Sequence, residues 1–343
     1  MPRRKSFGPV AIIVLFIIAA GIFLSYNQKT DCSITGQFCA SSNQPLMNIS
    51  ESDIIKIATW NVQNWGEKKA ENSTIMEAIA DNIKGYDIIA IQEISNFYEK
   101  NDPSCPKIAS ICPGNSRCGS IGNALQSYLN DQQGLNYSFV FSDEVRDERY
   151  LFIYNPQKVT LISAEVVGDP DEEAGPVCDL NKTQTGKMVR QPFKGVFKAG
   201  NFTFTLLNAH TSPTKNVAEL NGLEYFYRQE EGLGAKNIII LGDLNADCDY
   251  LTPTDTIAFR NSQYIWAVKD GTDTTISKKS CTYDRMIFKN DVDLHYTGSY
   301  NVSRSTTLNE SDHYLVWAVF SIPEVQKTSP GFDLTGNFWR IFG

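Results

Sequence analysis

Runs of aliphatic and β-branched residues alternate along the chain with amphipathic stretches and polar turns. Residues Ile54–Trp60 and Tyr86–Glu93 have the composition of buried strands, and residues 73–84 between them place apolar side chains at helical spacing. A strand, a helix and a second strand in this order are typical of an α/β fold with parallel neighbouring strands. The pattern therefore predicts the α/β fold class.

Strand and helix patterns continue through most of the chain and predict one domain over residues 53–322. Two regions, 95–121 and 168–187, have no regular period and are interpreted as a cysteine-containing insertion and an acidic loop. Outside the domain, we interpret residues 27–52 as a polar linker and residues 323–343 as a tail. Further strands are predicted at residues 137–141, 148–154, 196–198, 202–208, 238–241, 284–288 and 314–320, and further helices at 121–132 and 217–232.

Residues 1–26 are predicted to form a hydrophobic signal-anchor helix. The basic residues of Arg3–Lys5 precede an apolar run over Val10–Leu24, and such a flank favours an N-terminus that stays in the cytoplasm. We expect an uncleaved single-pass anchor; the alternative is a signal peptide cleaved at the small residues Ala19–Gly21. In both cases the rest of the chain is exported.

Composition limits the partners and the compartment. The formal net charge is −8, so nucleic-acid binding would have to be local or bridged by divalent cations. Eight cysteines indicate an oxidising compartment with disulfide bonds. Seven Asn-x-Ser/Thr sequons agree with this location and with a glycoprotein, and they lie at Asn48, Asn72, Asn136, Asn181, Asn201, Asn301 and Asn309.

Polar side chains with catalytic or ligand chemistry recur at the ends of the predicted strands. The chain has three histidines, and two of them, His210 and His313, lie at such ends, whereas His295 does not. Since His210 follows a strand and His313 precedes one, antiparallel neighbouring strands would bring them to the same sheet edge. The full set is Asn61, Glu93, Glu148, His210, Asp243 with Asn245, Asp284, and Asp312 with His313.

These groups suit the hydrolysis of a phosphate ester. One histidine can take a proton from water while the other gives a proton to the leaving oxygen, and each needs a carboxylate to fix its tautomer. Glu93, with Asn61 and Asp312, offers hard oxygen ligands for Mg²⁺, and Asn245 can donate to a phosphoryl oxygen. The chain has no G-x-S-x-G, Walker or Rossmann motif and no zinc-ligand set, which argues against those chemistries.

These strand-end residues and the short motifs around them occur in an order that resembles the endonuclease/exonuclease/phosphatase superfamily, and in particular its deoxyribonuclease I branch. The resemblance covers residues 54–321 and implies a four-layered α/β/β/α sandwich of two packed mixed sheets. The Asn-Ala-Asp-Cys and Cys-x-Tyr-Asp-Arg pieces favour this branch over abasic-site endonucleases, sphingomyelinases and inositol phosphatases. The matching residues are Trp60-Asn61, Ile91-Gln92-Glu93, Glu148 to Phe152, Asn208-Ala209-His210, Gly242 to Cys248, Cys281 to Arg285 and Ser311 to Tyr314.

The resemblance also implies roles for single residues. It implies that Glu148 orients the catalytic His210 and that Asp284 orients the catalytic His313. Arg190 matches an arginine that contacts substrate phosphate, and a Cys248–Cys281 disulfide is implied. The residues that the resemblance assigns to a divalent metal and the scissile phosphate are Asn61, Glu93, Asp243, Asn245 and Asp312. We expect Mg²⁺ or Mn²⁺ at this site, and a structural Ca²⁺ held by acidic residues of the loop 168–187.

Two positions depart from the branch. Ser95 and Arg146 stand where deoxyribonuclease I has an arginine and a tyrosine that grip duplex DNA, which leaves the form of the substrate open. We expect an exported, membrane-anchored, metal-dependent DNA endonuclease that is a monomer. The alternatives are a phosphatase or a sphingomyelinase-like phospholipase C acting at the membrane surface, and a catalytically inactive binding domain.

Overall fold

The computed structural model describes residues 53–95, 119–146, 148–168, 188–289 and 296–322. The predicted anchor, the linker, most of the cysteine-containing insertion, the acidic loop with its expected calcium site, and the tail lie outside these residues. Within the described part of the chain, no helix has the length and apolar character needed to cross a bilayer.

Twelve strands form the described framework, and they divide into two six-stranded sheets. The first sheet has the order β11-β12-β1-β2-β4-β3 and the second has the order β5-β6-β7-β8-β10-β9. Their bounds are β1 (Ile54–Trp65), β2 (Ile88–Ser95), β3 (Ser138–Phe141), β4 (Glu148–Tyr154), β5 (Thr160–Val166), β6 (Phe193–Ala199), β7 (Phe202–His210), β8 (Ile238–Asp243), β9 (Tyr264–Trp266), β10 (Asp284–Lys289), β11 (Tyr296–Ser303) and β12 (Leu315–Ser321).

Both sheets are mixed, as expected. In the first sheet β1 and β2 are parallel, which confirms the arrangement predicted from the opening strand–helix–strand pattern. In the second sheet β7 and β8 are parallel, while β10 runs antiparallel to β8.

The helices lie on the outer faces of the two sheets. Helix α2 packs on the first sheet together with α3 and its π-helical continuation, and α4 packs on the second. The bounds are α1 (Glu67–Ala70), α2 (Ser73–Ile83), α3 (Gly119–Leu125) with the π-helix Gln126–Gln132, and α4 (Asn216–Gly232), with 3₁₀ turns at Pro213–Lys215 and Ala258–Arg260. The expected α/β/β/α order of layers is therefore confirmed.

The apolar core between the sheets follows from the alternation of side chains along each strand. In β1, Ile55 and Ile57 face the second sheet, whereas Ala58 and Trp60 lie in the cluster beneath the helices. A hydrogen-bonded polar contact crosses this interior near the site, because Gln92 Nε2 donates to Asn208 Oδ1 at 2.7 Å. Asn208 Nδ2 in turn donates to the carbonyl of Ile91 at 3.0 Å.

Strand register places three predicted site residues at one edge of the second sheet. His210 pairs with Asp243 across β7 and β8, and Asp284 pairs with Asp243 across β10 and β8. The expectation that antiparallel neighbours bring the two histidines together was wrong, because β7 and β12 belong to different sheets. Sheet packing, and not strand pairing, brings His313 to His210.

Three strands were not predicted, and each has a weak pattern. Strand β5 is largely exposed, β9 has three residues, and β11 contains Gly298 at a positive φ of 82° with a register shift. Apolar alternation, the signal used for the other strands, is short or absent in all three.

We expect Gly242→Ala to destabilise the fold strongly. Gly242 has a φ of 147°, and an added Cβ would lie 1.8 Å from the carbonyl oxygen of Ala209 on the neighbouring strand. Strain and overlap together should lower the free energy of unfolding by roughly 3 kcal/mol or more. Urea denaturation measures this change.

Gly232→Ala is the matched control for this substitution. Gly232 lies in helix α4, and no atom comes within 4 Å of an added Cβ there. Its unfolding free energy should stay constant or rise by up to about 1 kcal/mol. Equal effects of the two substitutions would contradict the close approach of β7 to β8 at Gly242.

Candidate active site

The carboxylate of Asp243 lies between the two catalytic histidines proposed from the sequence. Its Oδ2 is 3.5 Å from His313 Nε2 and 3.7 Å from His210 Nε2. The same oxygen accepts a hydrogen bond from Asn61 Nδ2 at 3.0 Å, and Oδ1 accepts one from the backbone of Asn245 at 3.1 Å. Burial opposes ionisation, but the charges of His313 and His210 and these hydrogen bonds hold the pKa of Asp243 below its ordinary value.

His210 is oriented by a carboxylate from the other sheet. Its Nδ1 is 2.9 Å from Glu148 Oε2, and its backbone N–H donates to Tyr150 Oη at 3.1 Å. The second oxygen of Glu148 forms an ion pair of 2.7 Å with Arg190 Nη2. Burial opposes ionisation of Glu148, yet the bond to His210 and the charges of His210 and Arg190 lower its pKa. The structure thus brings Glu148 and His210 together as the resemblance implied.

His313 has a carboxylate partner, Asp284, just as His210 has Glu148. Its Nδ1 is 2.9 Å from Asp284 Oδ2, and both side chains are buried. Its carbonyl accepts from Trp60 Nε1 at 2.9 Å, and its N–H donates to Ser311 Oγ at 2.9 Å. Burial favours the neutral ring, but the carboxylates of Asp284 and Asp243 outweigh it and raise the pKa of His313 to about 10.

Glu93 reaches the site through a bulge. The register of β2 against β4 shifts between Ile91 and Ile94, and Glu93 adopts a φ of 58° within this shift. Its Oε1 accepts from Asn61 Nδ2 at 2.8 Å, and its Oε2 accepts from the N–H of Asn64 at 2.9 Å. The Glu93 side chain remains 20% exposed although both of its oxygens accept hydrogen bonds.

Asn61 is placed differently from what a metal ligand requires. Its Oδ1 accepts the N–H of Gln63 at 2.9 Å, so its amide nitrogen faces Glu93 and Asp243. In this orientation Asn61 is a hydrogen-bond donor to two carboxylates.

Asp312 is half-buried in the segment that precedes β12. Its carbonyl accepts the N–H of Ile276 at 2.6 Å, which fixes the backbone beside His313. Its carboxylate and that of Glu93 both act on the charge of Lys69. Burial nevertheless lowers the pKa of Lys69 below its ordinary value.

The donor set fits a hard divalent cation. Five carboxylates, from Glu93, Glu148, Asp243, Asp284 and Asp312, lie at this site together with the cationic side chains of Arg190 and Lys69. Mg²⁺ and Mn²⁺ prefer such oxygen ligands. Ligand atoms of Asp243, Asp284 and His313 also lie within 4.8 Å of one another. Within this group, Asp284 and His313 already bond to each other.

Arg190 and Asn245 line the same site. Arg190 keeps its Nε and Nη1 without a hydrogen-bond partner among the described residues, although both atoms are buried. Asn245 has a φ of 45°, and its Nδ2 donates to the carbonyl of Thr211 at 2.9 Å. Free donors on Arg190 and the amide of Asn245 are the groups that a phosphate oxygen would accept from.

Several supporting residues were not identified from the sequence. Glu219 in helix α4 accepts the N–H groups of Val189 (2.6 Å) and Ser212 (2.5 Å), which fixes the segments bearing Arg190 and His210. Burial raises the pKa of Glu219 despite these bonds. Lys69 belongs to the same group, whereas Tyr150 and Gln92 lie within the matching motifs but were given no role of their own. Glu219 and Lys69 are charged residues of helices, where the sequence pattern gives no sign of a contact with a distant segment.

The predicted Cys248–Cys281 disulfide is confirmed, with Cα atoms 5.8 Å apart. It joins the loop after Asp243 to the segment before Asp284. Asp247, which directly precedes Cys248, accepts the N–H of Thr282 at 2.7 Å and reinforces the same connection.

Comparison with known proteins agrees with this arrangement. The model of the Endonuclease/Exonuclease/phosphatase family matches residues 58–313. Deoxyribonuclease-1 of Bos taurus is 26% identical over 284 residues, which cover 76% of this chain and 90% of that protein. Deoxyribonuclease gamma of Rattus norvegicus is 28% identical over 286 residues, covering 76% of this chain and 83% of that protein.

Solved structures agree in fold. Truncated TDP2 of Caenorhabditis elegans superposes with a TM-score of 0.51 at 13% identity and covers 78% of this chain and 97% of its own. A protein of unknown function from Enterococcus faecalis V583 also gives a TM-score of 0.51, at 18% identity, and covers 78% of this chain and 100% of its own. These likenesses concern the fold alone.

We expect the His313–Asp284 pair to stabilise the metal-free fold in a pH-dependent way. The folded-state pKa of His313 is raised from 6.5 to about 10, so its contribution is complete below pH 6.5 and is lost as the pH rises towards 10. His313→Asn keeps an N–H donor for Asp284 without the charge. It should lower the free energy of unfolding by about 2–4 kcal/mol near pH 6 and by much less near pH 10.

Urea unfolding in EDTA at about pH 6, 8 and 10 measures this difference. Asp81→Asn serves as the control, because Asp81 pairs with Lys84 on the exposed surface and should matter little at any of these pH values. A loss in His313→Asn that stays constant across the pH range would contradict the raised pKa.

Proposed function

The chain is a hydrolase of the endonuclease/exonuclease/phosphatase family, and we propose that it cleaves phosphodiester bonds in DNA as a divalent-metal-dependent endonuclease. One observation carries the proposal: the Nε2 atoms of His210 and His313 approach the same oxygen of Asp243, at 3.7 Å and 3.5 Å. Two imidazoles, each backed by its own carboxylate, form a symmetrical arrangement for two proton transfers at one phosphorus.

The proposed reaction uses both imidazoles. Water attacks phosphorus and gives a proton to Nε2 of one histidine, while the bond to the leaving oxygen breaks and that oxygen takes a proton from the other. Glu148 and Asp284 hold the Nδ1 atoms of His210 and His313, so that both Nε2 atoms point at the reacting centre. Asp243 stabilises whichever ring is protonated.

Glu93 and Asp312 are the residues proposed to hold Mg²⁺ or Mn²⁺, with Asn61 beside them. When bound, the cation neutralises phosphate oxygens and stabilises the charge that develops on them. The free donors of Arg190 and the amide of Asn245 would orient the same phosphate from the second sheet.

The DNA substrate is supported by the relatives, which are named as deoxyribonucleases. Ser95 and Arg146, the two departures from that branch, lie close to the catalytic Glu148. Ser95 pairs with Glu148 across β2 and β4, and Arg146 is exposed with a φ of 63° two residues before it. A change in how the duplex is held is therefore expected beside the His210 half of the site.

We also include export and anchoring through residues 1–26 in this proposal. The Cys248–Cys281 disulfide supports an oxidising compartment. A location at the membrane surface keeps open a phospholipase C-type activity, which the experiment below includes as a separate substrate.

Plasmid nicking by the whole chain tests the proposal. With Mg²⁺ or Mn²⁺ we expect conversion of supercoiled plasmid to nicked circles, complete loss in EDTA, and no turnover of sphingomyelin or phosphatidylcholine vesicles. His210→Ala and His313→Ala should each lower the nicking rate by about 10²–10⁴-fold, because each removes one proton-transfer group.

His295→Ala is the matched histidine control and should nick plasmid at the wild-type rate. Circular dichroism confirms that each variant is folded. Lipid turnover without nicking, or full activity in His313→Ala, would be incompatible with the proposed function.

A further inference from the structure

Lys69 lies beside the proposed metal site, and the reaction described above gives it no role. Its ammonium group donates to the carbonyl oxygens of Val62 (3.2 Å), Gln63 (2.5 Å) and Glu310 (2.7 Å). An ammonium group has three N–H donors, and three main-chain acceptors use all of them. The adjacent Lys68 is exposed on the same short helix α1, so the two lysines have different surroundings.

The three carbonyls belong to two of the segments at the proposed metal site, the one that contains Asn61 and the one that contains Asp312. The first two directly follow Asn61 at the end of β1, and the third lies two residues before Asp312. Ser311 connects the same segments, because its Oγ donates to the carbonyl of Asn61 at 2.6 Å. Lys69 therefore connects the segment that contains Asn61 to the segment that contains Asp312 through main-chain hydrogen bonds.

The segment held by Lys69 adopts an uncommon backbone conformation. Gln63 and Asn64 have φ values of 25° and 51°, which non-glycine residues rarely adopt without support. The N–H of Asn64 donates to Glu93, so the position of this turn decides where that carboxylate points. Loss of the Lys69 bonds would release the turn and with it the placement of Glu93.

The charge of Lys69 and its hydrogen bonds have opposite effects on the affinity for a divalent cation. The carboxylates of Asp312, Glu93 and Glu310 all interact with the ammonium group, which means that a positive charge is fixed beside the expected cation. Repulsion alone would weaken metal binding, and its removal would strengthen it. If the hydrogen bonds of Lys69 position the metal ligands, its substitution weakens metal binding instead. The direction in which the affinity changes on substitution therefore separates the two effects.

We propose that Lys69 is a positioning residue that fixes the segments of Asn61 and Asp312 relative to each other, and so sets the affinity of the enzyme for its divalent cation. This inference rests on the proposed metal dependence. It assigns Lys69 no contact with substrate.

Isothermal titration of the metal-free protein with Mn²⁺ tests the inference, together with plasmid nicking at increasing Mn²⁺. In Lys69→Met, the dissociation constant and the half-activating Mn²⁺ concentration should both rise by about 10-fold or more, as for other residues that support metal ligands. The nicking rate at saturating Mn²⁺ should stay within about threefold of wild type, because the chemical groups are intact. Lys68→Met should match wild type in both measurements.

Unchanged or tighter Mn²⁺ binding in Lys69→Met would overturn the inference, as would a loss of activity that saturating Mn²⁺ does not restore. If Lys69→Met is not folded by circular dichroism, Lys69→Gln, which keeps two donors without the charge, is measured in the same way. A wild-type protein that binds no Mn²⁺ would overturn the proposed function as well. If the wild-type protein binds Mn²⁺ and nicks plasmid, and the Lys69 variant does both equally well, only the role of Lys69 is overturned.

Discussion

The site depends on the burial of one carboxylate between two imidazoles that come from different sheets. Asp243 ends a fully buried strand, and a buried anion is costly unless charges and hydrogen bonds compensate it. His210 supplies compensation from the same sheet, whereas His313 and Asn61 supply it from the other. The two sheets must therefore pack in one position for Asp243 to be tolerated, and that position is also the one that assembles the reaction.

The contact between Gln92 and Asn208 explains how this position is selected. Apolar side chains between the sheets provide most of the favourable free energy, but apolar packing by itself tolerates sliding. A hydrogen bond between two buried amides does not, because displacement takes Asn208 away from its two partners on the other sheet, Gln92 and the carbonyl of Ile91. Gln92 directly precedes Glu93, and Asn208 lies two residues before His210, so the contact aligns the two halves of the site.

Apolar runs followed by polar residues were enough to predict which strand ends carry site residues. The two His–carboxylate pairs and the α/β/β/α layers were predicted from the resemblance to the superfamily. The sequence pattern assigned the histidines to one sheet, since strand patterns contain no information about which sheet a strand joins. Lys69 was missed for a different reason. Its partners are main-chain carbonyls of distant segments, and no residue type marks a carbonyl acceptor, so Lys69 and Lys68 look the same in the sequence.

The pairing of β12 with β1 has a consequence for synthesis. The first site residue, Asn61, lies in β1, whereas His313 directly precedes the last strand of the same sheet, β12, which pairs with β1. A ribosome must therefore translate almost the whole domain before the second imidazole exists. Nascent chains and products shortened before residue 313 contain His210 with Glu148 but lack the second imidazole, so both His–carboxylate pairs are present only in molecules translated through His313.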